Sequence, residues 1–226
     1  DTAGSVRLPA SICGLVGMKT PAGLVSRAGA MPLSHALDTV GPLTRTVADN
    51  ALLLSVIAGR DAHDPATAHH PVPDFPLHLS GGVQGMRIGI PAGSFDDDVS
   101  PEVSKSTAAA VAVFRGMGVH AVAIDMPDMD AINAAGFLLT WGDVMAIHGD
   151  WMRTRPEQYT PQTRGRLLST LAVTPQAHAD AQRVRGQMLR NFCAQVFGHC
   201  DALLTPCMPF AVPRLAEVDV SGGAQT

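Results

Sequence analysis

Aromatic side chains are scarce. They make up 4% of the 226 residues, with one tyrosine and two tryptophans. A core must then be built mostly from Ala, Val, Leu, Ile and Met, and the 46% hydrophobic content supplies them. Charge is thin as well: 16% of residues carry it, the formal net charge is -4, and Lys19 and Lys105 are the two lysines. With no basic run, the chain has no stripe to follow a phosphate backbone, so direct nucleic-acid binding by this segment is not expected. Long apolar runs are missing too. Stretches such as Ala51 to Ala58 are too short to span a bilayer, and no membrane partner is expected. Cysteine is limited to Cys13, Cys193, Cys200 and Cys207. Four in a chain of this length do not make a disulfide framework. No two stand at the close spacing of paired zinc ligands. They read as buried free thiols, which behave as small hydrophobes. The expectations are a reducing, cytoplasmic setting and no metal or cofactor.

What is present alternates. Residues 1 to 45 are rich in Gly, Ser, Thr and Pro, the composition of tight turns and short strands around a packed site. Thr46 to Ala58 predicts a helix capped by Thr46, with Asp49 in its first turn and Gly59 just after it. Residues 60 to 84 read as a surface loop. Met86 to Pro91 reads as a buried strand. Pro101 to Met117 reads as a helix capped by Ser100, and Val119 to Ile124 as the returning strand. Strand, helix and strand at this spacing predict a βαβ unit. Residues 130 to 155 and 175 to 197 predict two long helices, the second with Arg183, Arg185 and Arg190 on its wet side. Asp201 to Thr205 reads as a short strand. The pattern is that of an α/β domain.

The chemistry points first to Thr2-Ala3-Gly4-Ser5. Small residues before a serine let backbone N–H groups converge, and such a nest can hold a developing oxyanion beside a nucleophile. A plain turn is the alternative. A serine needs a base, because a free hydroxyl is a poor nucleophile at neutral pH. His35 with Asp38 can be combined with Ser5 into a Ser-His-Asp arrangement, although nothing in the spacing demands it. His63, His69, His70 and His78 read as a solvated surface, and Asp96-Asp97-Asp98 as a turn before a helix. Met126, Met129, Met145 and Met152 read as core, with an apolar channel as the alternative.

A longer pattern bears on these readings. Asp1 to Ala10 (DTAGSVRLPA), Cys13 to Thr20 (CGLVGMKT), Val25 to Gly29 (VSRAG) and Ala36 to Asp49 (ALDTVGPLTRTVAD) resemble the amidase signature family in order and spacing. That family shows G-S-D-T-G-G-S-I-R-x-P-A, then C-G-x-x-G-x-K-P-T, V-S-R-x-G and S-L-D-x-x-G-P-x-T-R-T-V-x-D. MRIGIP and DALLTPCMPFAVP also look like family segments, more loosely.

The resemblance implies an amidase-signature fold: a mixed twisted sheet flanked by helices on both faces. It implies a Ser–Ser–Lys triad in which Ser5 is the acyl-enzyme nucleophile. The oxyanion hole would be formed by the N–H groups of Thr2, Ala3, Gly4 and Ser5. Ala3 stands where glycine is commoner, yet keeps its N–H. Arg7 and Lys19 fall on the family's arginine and on a lysine that is not the catalytic one, so both are expected to organise the site. The relay serine and catalytic lysine lie upstream of the matched pattern. Residues 1–226 are therefore expected to be part of a single domain, incomplete at both ends and inactive alone. Within it, 1–59 is the signature segment, 60–84 a surface loop and 85–226 a peripheral part. Exposed sheet edges would favour a homodimer.

Three functions follow. The first is a stand-alone amidase acting on a small-molecule amide. The second is the A subunit of a glutamyl-tRNA(Gln) amidotransferase, which typically carries an R-Y-D-G-x-R-Y-G-like segment. Tyr159 stands in a different context here. The third is an inert scaffold derived from the family. Residues 130 to 160 and 205 to 215 are the expected walls of the acyl pocket.

Overall fold

The computed structural model describes residues 1–67, 71–92 and 98–218. The signature segment folds around one short helix, α1 (Arg7–Ile12), and two short strands, β1 (Val16–Gly17) and β2 (Leu43–Thr44). Helix α1 was not legible in the sequence. Pro9 sits in its first turn, where a missing N–H costs no helical hydrogen bond. Ala10 is buried on its inner side, and a Cβ at Gly17 would lie 2.6 Å from it. The strands pair antiparallel, Val16 opposite Thr44.

Helix α2 (Val47–Ile57) forms as expected, with the Thr46 hydroxyl accepting the Asp49 N–H at 3.0 Å. Buried Asn50 ties it to the strands, its Nδ2 donating to Val16 O at 3.2 Å and Thr44 Oγ1 at 3.2 Å. The outer side of α2 is apolar as well: Leu52 is 60% exposed and Val56 75%.

Most described residues of 60–84 are exposed, but the stretch 61–67 is anchored. Asp64 and Thr67 are buried, and Phe75–His78 forms the helical turn α3. Asp64 accepts the Arg27 N–H at 2.9 Å, and Ser26 Oγ donates to Asp61 at 2.6 Å. These bonds hold the segment against the signature region.

The rest is the expected βαβ unit extended by one strand. Strands β3 (Arg87–Ala92) and β4 (His120–Asp125) run parallel, joined by α4 (Pro101–Gly116). Strand β5 (Ala202–Leu203) pairs parallel on the other side of β3, giving the order β4-β3-β5. Among the described residues the strands thus form two small sheets, one antiparallel and one parallel, rather than one mixed sheet. The architecture is α/β. Ser100 precedes α4 but does not cap it. Its N–H donates to Pro209 O at 2.7 Å, and its Oγ is buried without a partner.

Helices α5 (Met129–Thr154), α6 (Pro161–Leu168) and α7 (Pro175–Phe192) complete the fold. Ala135 and Leu139 of α5 pack on Ala181 of α7. The crossing is tight at Gly142, where a Cβ would lie 2.0 Å from the His178 ring. Instead of continuing to Phe197, α7 widens into a π-helical turn at Cys193–Phe197. Val196 and Cys200 then enter the core beside Ile124. Cys200 is the one buried thiol. Cys13, Cys193 and Cys207 are free and exposed, contrary to the expectation of burial, because Cys13 and Cys207 stand on surface turns and Cys193 on the outer side of the π-helical turn. Met126 packs on the Ile124 core. Among the described residues, no helix is long and apolar enough to cross a membrane.

Candidate active site

Ser5 stands exposed in the turn that enters α1. Two carboxylates and one ammonium shape that turn. The side chain of Asp1 is fully buried. Its Oδ1 accepts the Gly4 N–H at 2.7 Å, and its Oδ2 accepts the N–H groups of Val6 at 3.2 Å and Arg7 at 3.3 Å. The Arg7 guanidinium pairs with the same carboxylate. Gly4 itself has φ +149°, a conformation that L side chains rarely adopt. A Cβ there would lie 2.7 Å from Leu8 Cδ1.

Lys19 holds the turn from beneath. Its Nζ donates to the carbonyl of Asp1, to Leu37 O at 3.0 Å and to Thr39 Oγ1 at 3.2 Å. Burial, then the nearby Arg7 charge, lower its pKa below the ordinary lysine value. Asp38 holds the turn from the side. It accepts the Thr2 hydroxyl at 2.5 Å and the N–H groups of Leu33 at 2.8 Å and Ser34 at 2.9 Å. Burial alone would raise its pKa. The hydrogen bonds from Thr2, Leu33 and Ser34 outweigh burial, and the carboxyl stays below its usual range.

Of the four N–H groups expected in the oxyanion hole, that of Gly4 is thus already donated to Asp1. Those of Thr2, Ala3 and Ser5 donate to no acceptor among the described residues. The Ser-His-Asp reading does not hold. The Asp38 carboxylate faces Thr2 and the 33–34 backbone, and no bond joins it to the His35 ring. Ser5 Oγ makes no hydrogen bond to a histidine or lysine side chain among the described residues.

Ser5 opens into a cleft of about 580 Å³. Its walls include Met31, Leu33, His35 and Val40, with Arg27 and His63 at the rim. Residues 130 to 160, expected as acyl-pocket walls, do not line it. Thr205, Pro206 and Cys207 line a separate cleft of about 500 Å³ with Arg7 and Leu8. The wall at 30–40 was readable only as family pattern, because its apolar members show no periodicity. The sequence assigns Asp1 no role, and Asp38 only that of a partner for His35. A lone carboxylate in a turn carries no signal until its donors are placed. His69, His70, Asp96 and Asp97 lie outside the described residues.

A serine at a helix entrance, free N–H groups beside it and an apolar cleft in front are the parts of an acyl-transfer site. Residues 1–225 match the amidase family. An amidase from Pseudomonas putida is 39% identical over 218 residues, covering 96% of this chain and 47% of that protein. The A subunit of the glutamyl-tRNA(Gln) amidotransferase from Akkermansia muciniphila is 32% identical, covering 96% of this chain and 51% of that protein. Among solved structures, the corresponding A subunit from Thermotoga maritima superposes with a TM-score of 0.81 at 30% identity, covering 97% of this chain and 48% of that one. The chain belongs to the amidase signature family, and it spans about half the length of the curated relatives it matches.

Proposed function

We propose that the longer protein containing this chain is a stand-alone amidase that uses Ser5 as its nucleophile. The observation that supports this is the Ser5 turn. Asp1 and Lys19 hydrogen-bond across it, and the N–H groups of Thr2, Ala3 and Ser5 are left free for a ligand. In the reaction, Ser5 Oγ bonds to the amide carbon as its proton passes to a general base. The carbonyl oxygen becomes an oxyanion facing the free N–H groups. The C–N bond then breaks, and the base returns the proton to the leaving nitrogen, which departs as ammonia or amine. Water repeats the sequence on the ester, releasing the acid and restoring Ser5.

The base belongs to the half of the longer protein outside residues 1–226, as the family pattern implies for its lysine and relay serine. We expect the 226-residue piece to be inert alone, since groups that act as a unit lose most of the rate when separated. Arg7 and Lys19 organise the turn, and no cofactor takes part. The free thiols fit a reducing, cytoplasmic setting. Isolated, the piece would pair with itself through the apolar outer side of α2.

The test is ammonia release by the longer protein from small and aryl amides and from glutamine. Turnover of simple amides with glutamine poor supports this reading. A preference for glutamine would make it the amidotransferase component. No release from any amide would leave the scaffold.

A further inference from the structure

Helix α5 lines no part of the Ser5 cleft, yet it is joined to the nucleophile turn by a continuous run of hydrogen bonds. Asp143, midway along α5, accepts the Ser34 hydroxyl at 2.6 Å and the Ala36 N–H at 3.1 Å, both on Oδ2. Ser34 is fully buried, and its own N–H donates to Asp38. Asp38 accepts the Thr2 hydroxyl, and Thr2 begins the Thr-Ala-Gly-Ser turn. The bonds run from α5 through Ser34 and Asp38 to Thr2, across 109 residues of sequence at the first step. The segment they fix also carries Met31, Leu33 and His35, the wall opposite Ser5.

We infer that Asp143 is a positioning residue for acyl transfer: through Ser34 it sets the 31–38 wall and the Thr2 turn relative to each other. This rests on the proposed amidase reading. Both donors converge on one carboxylate oxygen, and no salt-bridge cation competes for it among the described residues. A carboxylate accepts such bonds more strongly than a neutral group. Without it, Ser34 and Ala36 lose their shared anchor. The wall and the turn can then shift independently, by the fraction of an ångström to which acyl transfer is sensitive.

The experiment uses the full-length protein with D143A, D143N, S34A and the S34A/D143A pair. The concentration of working sites is taken from the pre-steady-state burst, so kcat per site is independent of the folded fraction. D143A should lower kcat per site about 10–100-fold. D143N keeps an oxygen acceptor and should recover most of it. S34A should share much of the D143A effect, and the pair should be little worse than D143A alone, since the Ser34–Asp143 bond is lost in all three and D143A loses the Ala36 bond besides. Wild-type kcat per site in D143A, or full additivity in the pair, would overturn the inference. S5A separates the two claims. A burst that survives S5A refutes the nucleophile reading. A burst lost in S5A with D143A unchanged refutes the positioning role alone.

Discussion

Arg7 and Asp1 meet across the Ser5 turn, Nε 3.0 Å from Oδ2 and Nη2 3.1 Å from Oδ1. The two partners are not equivalent. The arginine side chain is 45% exposed, while that of Asp1 is fully buried. The carboxylate also gathers three backbone N–H groups, so the turn is built around the acid and the arginine closes it from outside.

The two substitutions should therefore differ in cost. Asp1→Ala leaves the Gly4 N–H without its partner, which costs about 1–3 kcal/mol for a buried donor. It should also abolish most acyl transfer. Arg7→Ala removes a half-exposed ion pair and should cost about 0–1 kcal/mol. Urea unfolding of both variants in the full-length protein checks the order. Equal costs would contradict it.

Gly4→Ala tests the turn's backbone. Its φ of +149° suits glycine, and a new methyl would meet Leu8. Strain of about 1–3 kcal/mol is expected. Because it falls beside Ser5, activity should suffer more than stability. Comparison of kcat with the unfolding midpoint reads this directly.

Acid should weaken the turn through Asp38, whose folded-state carboxyl titrates below its ordinary value. The stability it contributes is fully present above the unfolded value of about 3.9, and is lost as pH falls through the lower folded value. Asparagine does not titrate. The stability gap between wild type and Asp38→Asn should stay constant above that range and shrink below it. Acid titrations followed by circular dichroism measure the gap, and widening on acidification would contradict the assignment.

The sequence made regular elements legible where local signals were complete. Thr46, Asp49 and Gly59 bracket α2, and the apolar runs at 86–91 and 119–124 form the parallel pair. Helix α1 was hidden because Pro9 and Gly4 read as turn signals, though a first-turn proline suits a helix. The end of α7 was misread because a π-helical turn leaves no periodic trace. Ser5 stands out through the family pattern alone, its local signal being that of any small-residue turn. The carboxylates that hold it were not found. Asp38 and Asp143 gain meaning from Thr2 and Ser34, and the sequence does not show which distant donors a carboxylate will meet.

Acyl transfer by Ser5 requires a covalent bond to one oxygen. The full-length protein and its Ser5→Ala variant would be mixed with a slowly turning-over amide, quenched in acid and weighed by mass spectrometry. An added acyl mass is expected on the peptide containing Ser5 and none in the variant. An adduct elsewhere, or one that persists in Ser5→Ala, would contradict it.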